Sequence, residues 1–392
     1  MIKTLLIDLD DTLLENDMER FLPAYLQKIG EHFSNLAAPD RIANQVMAGT
    51  LAMIQNLDPT RTLQEIFAEI FYPSLGVSEE RLRPKIDEFY TQVFPTLRSY
   101  TDRREIANQL VKAVRNAGLD IVIATSPLFP LTAIEQRLAW AGLDVEAHEY
   151  ALIASYETFH FAKPHTAYYA EILGRLGTSP HEAAMIGNDI SDDMIPAQTM
   201  GMAVFHISPS PRDFPGGDLQ DAISWLEVAH TQSHPEAVDD PEVLLARLRG
   251  HLAALLSLSD GLRDQDWSKR QGDEEWAPNE IVCHMRDVEN EVNLPRVRSI
   301  LTQHEPYLSA FDTDQWAEER DYLCQSGLEA LNDFSESRLQ VIAELASLKA
   351  DRWSRPARHS LFGPTSLAEV LRIVTDHDLL HLAQLRSTLA MM

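Results

Sequence analysis

The spacing of apolar residues changes several times along this 392-residue chain. Residues 2–8 form a short apolar run that leads into acidic residues, which is typical of a buried parallel strand. Residues 18–98 contain four stretches with apolar residues at helical spacing, which predict four amphipathic helices. After residue 103, helical patterns alternate with further predicted strands at 120–125, 183–187 and 202–207. This alternation predicts a parallel sheet with helices on both faces.

The pattern changes again near residue 231. Residues 231–242 are polar and acidic and contain two prolines, so we place an interdomain linker at 231–240. No strand is predicted after it, and long helical patterns indicate a four-helix bundle. These patterns cover 242–264, 277–301, 326–348 and 366–390. The predicted domains are an α/β Rossmann-like core (1–17 and 99–230), a helical cap (18–98) inserted after the first strand, and an all-α bundle (241–392).

Composition narrows the class of protein. Hydrophobic residues make up 45% and charged residues 24%, as in soluble globular proteins. No stretch approaches about 18 uninterrupted apolar residues, so no membrane association is expected. Cys283 and Cys324 are too few for a disulfide framework and fit a reducing cytoplasm. The net charge of −27 disfavours nucleic-acid binding, so an anionic substrate would need metal ions and a few placed cations.

Two carboxylates follow the first predicted strand. The segment DLDDT places Asp8 and Asp10 just beyond it, where open α/β sheets bind their ligands. Two carboxylates this close repel each other unless a cation lies between them. A lone pair of this kind is a weak signal, because short acidic pairs are common in turns.

Later segments supply complementary groups. Thr125 ends the second predicted strand, and Lys163 precedes a predicted helix. The segment GNDISDD places Asp189 at the end of another strand, with Asp192 and Asp193 following on a turn. Each residue alone could be a helix cap or a surface group. Together they provide a nucleophilic carboxylate, a hydroxyl, an ammonium and an acidic metal cluster, which suits phosphoryl transfer.

In order and spacing, these residues resemble the four motifs of the haloacid dehalogenase superfamily over about residues 1–230. The resemblance implies that Asp8 is the nucleophile and forms an aspartyl-phosphate. It implies that Asp10 protonates the leaving group and then activates water. It also implies that Thr125 and Lys163 hold the phosphoryl oxygens.

The same resemblance implies a magnesium ion. Its ligands would be Asp8, the backbone carbonyl of Asp10, and Asp189, with Asp193 supporting the site and Asp192 at a more variable position. The dehalogenases of the superfamily lack the second aspartate and need no metal, so Asp10 favours a phosphatase. A helical cap would close over a small substrate, so we expect a small phosphorylated metabolite.

Histidines form a second constellation. His377 and His381 lie four residues apart on one predicted helix, so both imidazoles occupy one face. That face is otherwise apolar and points inward, as in a half-built metal site. His284 is the third candidate ligand, and Asp287 or Glu280 could orient it. Structural histidines on an apolar face are also common, so the pair alone leaves both interpretations open.

With Trp276 and the segment at 311–322, these histidines resemble the DinB/YfiT-like four-helix-bundle family over about 240–392. The resemblance implies that His284, His377 and His381 bind one divalent transition ion, zinc or nickel, with an open position for water or a thiol. Alternatively, the bundle is the main functional unit, as a thiol-dependent transferase or a metal hydrolase. A third possibility is a binding or dimerisation module, with a homodimer formed through the bundle.

Overall fold

The structure is a computed structural model that describes residues 1–210, 213–229, 239–272, 275–313 and 315–392. The chain divides into two compact units, which are Met1–Tyr168 with Pro180–Glu236, and Tyr169–Ser179 with Ala237–Met392. Most of the predicted linker, 231–238, lies outside the described residues. In the described ranges, no helix combines the length and the apolar character needed to cross a bilayer.

The first unit contains a parallel six-stranded sheet in the order β5-β4-β1-β6-β7-β8. All four residues of the central strand β1 are buried, as expected for a strand covered on both faces. The short strands β2 and β3 form a separate antiparallel ribbon. The strands are β1 (Thr4–Ile7), β2 (Leu14–Asn16), β3 (Thr101–Arg103), β4 (Asp120–Ile123), β5 (Leu152–Ile153), β6 (Ala183–Gly187), β7 (Ala203–Ile207) and β8 (Gly216–Gly217).

Four helices lie between β2 and β3 in the chain, which confirms the helical insertion after the first strand. A π-helical turn and a 3₁₀ segment follow α4 and lead into β3. Aromatic rings pack edge to face in this region, for example Tyr25 on Phe89 at 5.9 Å between centroids. The helices before the predicted linker are α1 (Met18–His32), α2 (Pro39–Gln55), α3 (Leu63–Leu75), α4 (Glu79–Glu88), α5 (Glu105–Asn116), α6 (Leu131–Trp140), α7 (Thr166–Leu176), α8 (Ile195–Thr199) and α9 (Leu219–Ala229). Most of α7 belongs to the second unit.

The second unit contains the predicted long helices. Asp240 caps α10 by accepting a 2.8 Å hydrogen bond from the Glu242 amide, so the predicted linker ends on a helix cap. A π-helical turn at Glu289–Asn293 joins α12 to α13. The helices are α10 (Pro241–Ser259), α11 (Asp264–Trp267), α12 (Pro278–Val288), α13 (Leu294–Thr302), α14 (Trp316–Glu319), α15 (Gly327–Ala346) and α16 (Leu367–Ala390).

The prediction of no strand after the linker is wrong. β9 (Tyr307–Leu308), β10 (Pro356–His359) and β11 (Gly363–Ser366) form a small sheet beside the helices. These strands have two to four residues, and only β10 shows alternating burial. Strands this short give almost no alternation of apolar and polar residues in the sequence. The sequence pattern therefore did not predict them.

Candidate active site and candidate metal centre

The chain leaves the sheet at the carboxyl end of β1. The Asp8 amide still donates to the Ile186 carbonyl of β6 at 2.9 Å, so Asp8 extends the ladder by one residue. Asp11 then has a φ of +57°, a left-handed conformation that aspartate tolerates better than most residues. Its amide donates to the Leu14 carbonyl at 2.6 Å and closes a tight turn. Asp10 is therefore held on this turn, beside the end of the strand.

Lys163 lies between two buried carboxylates. Its Nζ is 2.8 Å from Asp8 Oδ1 and 2.5 Å from Asp193 Oδ1. All three residues are less than 8% exposed, so one cation is shared by two anions away from water. The pKa of Asp8 is raised to about 7, mainly by burial and also by the charge of Asp193, against the opposing effect of Lys163. The cluster is therefore electrostatically suited to accept a further cation.

Asp189 lies on the loop after β6. Its Oδ1 accepts hydrogen bonds from the Ser191 amide (2.7 Å), the Ser191 hydroxyl (2.6 Å) and the Asp192 amide (2.9 Å). Burial raises its pKa, but these hydrogen bonds outweigh burial and lower the pKa below its ordinary value. Asp193 Oδ2 in turn accepts from the Asp189 amide at 3.1 Å. A Cβ on Gly187 would lie 2.2 Å from Asp193 Oδ2, so this close approach requires glycine.

One cavity of about 220 Å³ collects the predicted residues. Thr125 lies in its wall, and its carbonyl accepts a 2.8 Å hydrogen bond from the Tyr168 hydroxyl. The structure thus brings together all six residues expected from the sequence, whose chemical roles stay predictions. They are Asp8, Asp10, Thr125, Lys163, Asp189 and Asp193.

The sequence analysis missed Asn16 and Arg137 as partners of the Asp10 carboxylate. Asn16 Nδ2 donates to Asp10 Oδ1 at 2.9 Å, and Arg137 Nη1 donates to Asp10 Oδ2. A signal for Arg137 was present, because it lies in the buried stripe of α6 with Ile134 and Leu138. A charged residue on an apolar helix face is rarely left without a buried partner.

The three histidines of the second unit converge. His284 lies on α12, while His377 and His381 lie on α16. The Nε2 atom of His377 is 3.2 Å from that of His284 and 3.1 Å from that of His381. Two nitrogens bound to one tetrahedral zinc ion would be roughly 3.3 Å apart, given bonds of about 2.0–2.1 Å. The spacing therefore fits three ligands around one ion.

The environment of His284 and His381 keeps both imidazoles neutral. Burial, together with the neighbouring imidazoles, lowers the pKa of His284 to about 3 and that of His381 to about 4. Neutral imidazole is the form that binds metal ions. Gln384 Oε1 lies 3.0 Å from His381 Nδ1, and the Trp276 ring is parallel to the His381 ring at 6.0 Å between centroids. These contacts hold the orientation of His381.

The prediction that Asp287 or Glu280 orients the His284 imidazole is wrong. Asp287 instead accepts hydrogen bonds from Arg286, Arg320 and Tyr322, at 2.6–2.7 Å. Glu280 accepts from the guanidinium group on Arg270, and within the described residues His284 Nδ1 has no hydrogen-bond partner. Guanidinium groups form charge-assisted hydrogen bonds with carboxylates, and a neutral imidazole does not compete with them.

His377 also lines a cavity of about 170 Å³ in the second unit. Its wall is mainly apolar, with Arg296 and His359 among the polar exceptions. The apolar lining is Val288, Val292, Ala310, Phe311, Leu361, Phe362, Val370, Ile373 and Val374.

Arg338, Glu289 and Asp378 form a buried ionic cluster, and Asp378 is next to His377 in the sequence. Arg338 on α15 is fully buried and donates to Glu289 and to Asp378, which are 0% and 2% exposed. We expect Arg338→Leu to destabilise the second unit by about 3–5 kcal/mol, because it leaves two carboxylates buried without a cation. Urea denaturation of the full chain would measure the loss.

The control for Arg338→Leu is Arg358→Leu. Arg358 makes an exposed ion pair with Glu305, and surface pairs contribute about 0–1 kcal/mol. Replacing Arg338, Glu289 and Asp378 together with leucine should recover much of the stability, since no unpaired charge remains. Equal denaturation midpoints for Arg338→Leu and Arg358→Leu would contradict the assigned role of the cluster.

Comparison with known proteins matches the two parts of the chain separately. Residues 2–201, about half of the chain, match the family model described as haloacid dehalogenase-like hydrolase. Residues 247–385 match the DinB superfamily model. No curated protein matches the chain.

Each of the following solved structures is similar to only one part of this chain. A HAD phosphatase from Thermococcus onnurineus is 17% identical, covering 57% of this chain and 98% of its own, with a TM-score of 0.39. The L-2-haloacid dehalogenase from Xanthobacter autotrophicus is 17% identical, and the match covers 54% of this chain and 80% of the dehalogenase, with a TM-score of 0.34. YfiT from Bacillus subtilis, a four-helix-bundle protein, is 19% identical, and the match covers 38% of this chain and 85% of YfiT, with a TM-score of 0.35.

Proposed function

The chain belongs to the haloacid dehalogenase-like hydrolases, and on that premise we propose that it is a magnesium-dependent phosphatase of small phosphomonoesters. The single observation that carries the proposal is the position of Lys163, between the buried carboxylates of Asp8 and Asp193 in a cavity that also contains Asp10 and Asp189. This arrangement offers a nucleophile, a proton carrier and cationic stabilisation within one small space.

The proposed reaction has two displacements. In the first, an Asp8 carboxylate oxygen bonds to phosphorus while the ester bond breaks, and Asp10 gives its proton to the leaving oxygen. In the second, Asp10 takes a proton from water, whose oxygen attacks phosphorus and releases phosphate from Asp8. Thr125 and Lys163 hold the phosphoryl oxygens throughout.

Magnesium suits the oxygen donors of this site. The ligands would be Asp8, Asp189 and the backbone carbonyl of Asp10, with Asp193 holding the loop by its hydrogen bond to the Asp189 amide. When bound, the ion supplies charge neutralisation for the transferring phosphoryl group. The buried excess of negative charge around Lys163 supports this assignment.

Metal dependence separates this function from dehalogenation. We expect the full-length protein to release phosphate from p-nitrophenyl phosphate with magnesium, to lose that activity in EDTA, and to regain it when magnesium is restored. Phosphate release followed by a colorimetric assay measures this. We expect no chloride release from 2-chloropropionate under either condition. Metal-independent chloride release would overturn the assignment, because it needs neither Asp10 nor the acidic loop.

The second unit has its own candidate function. We propose that His284, His377 and His381 bind one transition ion, zinc or nickel, and that a small molecule reacts beside it. The observation that favours chemistry over a binding or dimerisation module is the cavity that shares His377 with the histidine cluster. Thiol-dependent transfer and metal-assisted hydrolysis both fit this arrangement. The two free cysteines support residence in the reducing cytoplasm.

A further inference from the structure

Arg137 is a buried cation to which the proposed phosphatase reaction gives no role. Its side chain is 2% exposed, and Nη1 donates to Asp10 Oδ2. Its guanidinium carbon lies 4.8 Å from the centroid of the Phe129 ring. Nε and Nη2 are buried, and within the described residues they have no hydrogen-bond partner. Unpaired buried donors of a charged group are unfavourable, so the arrangement suggests that a ligand completes it.

The charges of the cavity single out Arg137. Lys163 is already shared by Asp8 and Asp193, and in the proposed reaction it holds the phosphoryl oxygens. The carboxylates in the described lining are those of Asp8, Asp10, Asp11, Asp189, Asp192 and Asp193. A second anionic group on a substrate would therefore be repelled from most of this wall. Arg137 is a cation in the wall of this cavity whose Nε and Nη2 could donate hydrogen bonds to such a group.

The position of Arg137 relates that group to the scissile bond. Asp10 protonates the leaving oxygen in the proposed reaction, and Arg137 contacts the Asp10 carboxylate. A group bound to Arg137 must therefore belong to the leaving group and lie a few atoms from the ester oxygen. The cavity of about 220 Å³ has room for a small leaving group of this kind.

We propose that Arg137 binds an oxyanion, a carboxylate or a second phosphoryl group, on the leaving group of the substrate. The substrate class is then a small phosphomonoester whose leaving group is itself anionic. A guanidinium suits this task because its planar set of donors matches two oxygens at once, and Phe129 fixes its plane. The inference rests on the proposed phosphatase function and deepens it.

The same contact links binding to catalysis. Without substrate, the Arg137 guanidinium holds Asp10 Oδ2, while Asn16 holds Asp10 Oδ1 at 2.9 Å. An oxyanion of the substrate competes for the guanidinium and frees Oδ2 to serve the leaving oxygen. Asn16 keeps the carboxylate oriented during the exchange. A substrate without the anion leaves Asp10 paired with Arg137, so it reacts more slowly.

The test compares matched esters in the full-length protein with magnesium. Phosphoglycolate and ethylene glycol monophosphate have the same chain length but differ in the anionic end, and 1,3-propanediol bisphosphate carries a phosphoryl group instead. We expect kcat/KM to favour the anionic esters by about 10- to 100-fold, the effect of a charge-assisted bidentate contact. Arg137→Gln should reduce this preference to near unity, and Arg137→Lys should keep part of it.

The controls separate the possible failures. Arg115→Gln, on the exposed face of α5, should keep the preference. A purely structural Arg137 would instead lower kcat for all esters equally, and that result overturns the inference. It is also overturned if the wild type shows no preference, or if p-nitrophenyl phosphate is hydrolysed and none of the small esters is. Failure on p-nitrophenyl phosphate as well removes the phosphatase proposal itself, and the inference with it.

Discussion

Asp8→Asn should lower the magnesium-dependent release of phosphate from p-nitrophenyl phosphate by about 10³-fold or more. The substitution keeps the shape of the side chain but removes the charged oxygen that would bond to phosphorus, so no aspartyl-phosphate can form. Lys163 keeps its 2.5 Å contact with Asp193, which should preserve the local fold. The measurement is kcat at saturating magnesium, together with a thermal unfolding curve for each protein.

Asp102→Asn is the matched control for Asp8→Asn. Asp102 is an exposed residue of β3, so the same chemical change there should leave kcat unaltered. Beryllium fluoride, a mimic of the acyl-phosphate, provides an independent test of the same mechanism. It should bind to the wild-type protein but not to Asp8→Asn. A variant that folds normally and retains near wild-type kcat would show that Asp8 is not the nucleophile.

The sequence predicted those parts of the site that depend on position along a strand. Asp8 follows β1 and Asp189 follows β6, and the ends of neighbouring parallel strands meet at one edge of the sheet. Their convergence in one cavity therefore follows from the order of the strands. His377 and His381 were predictable for a similar reason, since a spacing of four on a helix fixes a common face.

Contacts between distant segments were not predictable in this way. Arg137 meets Asp10, and Arg338 meets Glu289 and Asp378, because segments far apart in the chain pack in a register that no local pattern encodes. The failed prediction for Asp287 has the same origin. Its neighbours Arg320 and Tyr322 come from a separate segment, and they take the carboxylate that the sequence had paired with His284.

His377→Ala should remove most of the transition metal from the full-length protein. His377 is the central member of the cluster, since its Nε2 lies 3.2 Å from that of His284 and 3.1 Å from that of His381. Losing it leaves two nitrogen ligands where structural and catalytic zinc sites use at least three. We expect the affinity to fall by more than about 100-fold, which exceeds the usual effect of losing an outer partner.

Elemental analysis after dialysis against magnesium would measure this loss. The wild type should hold close to one equivalent of zinc or nickel per chain, and His304→Ala, at an exposed position in the same unit, should hold the same amount. Asp189→Asn should also keep it, because the oxygen-rich site and the nitrogen site prefer different ions. Added metal should raise the unfolding temperature of the wild type but not that of His377→Ala. A wild-type protein that binds no transition metal, or a His377→Ala variant that retains a full equivalent, would show that the three imidazoles converge for packing alone.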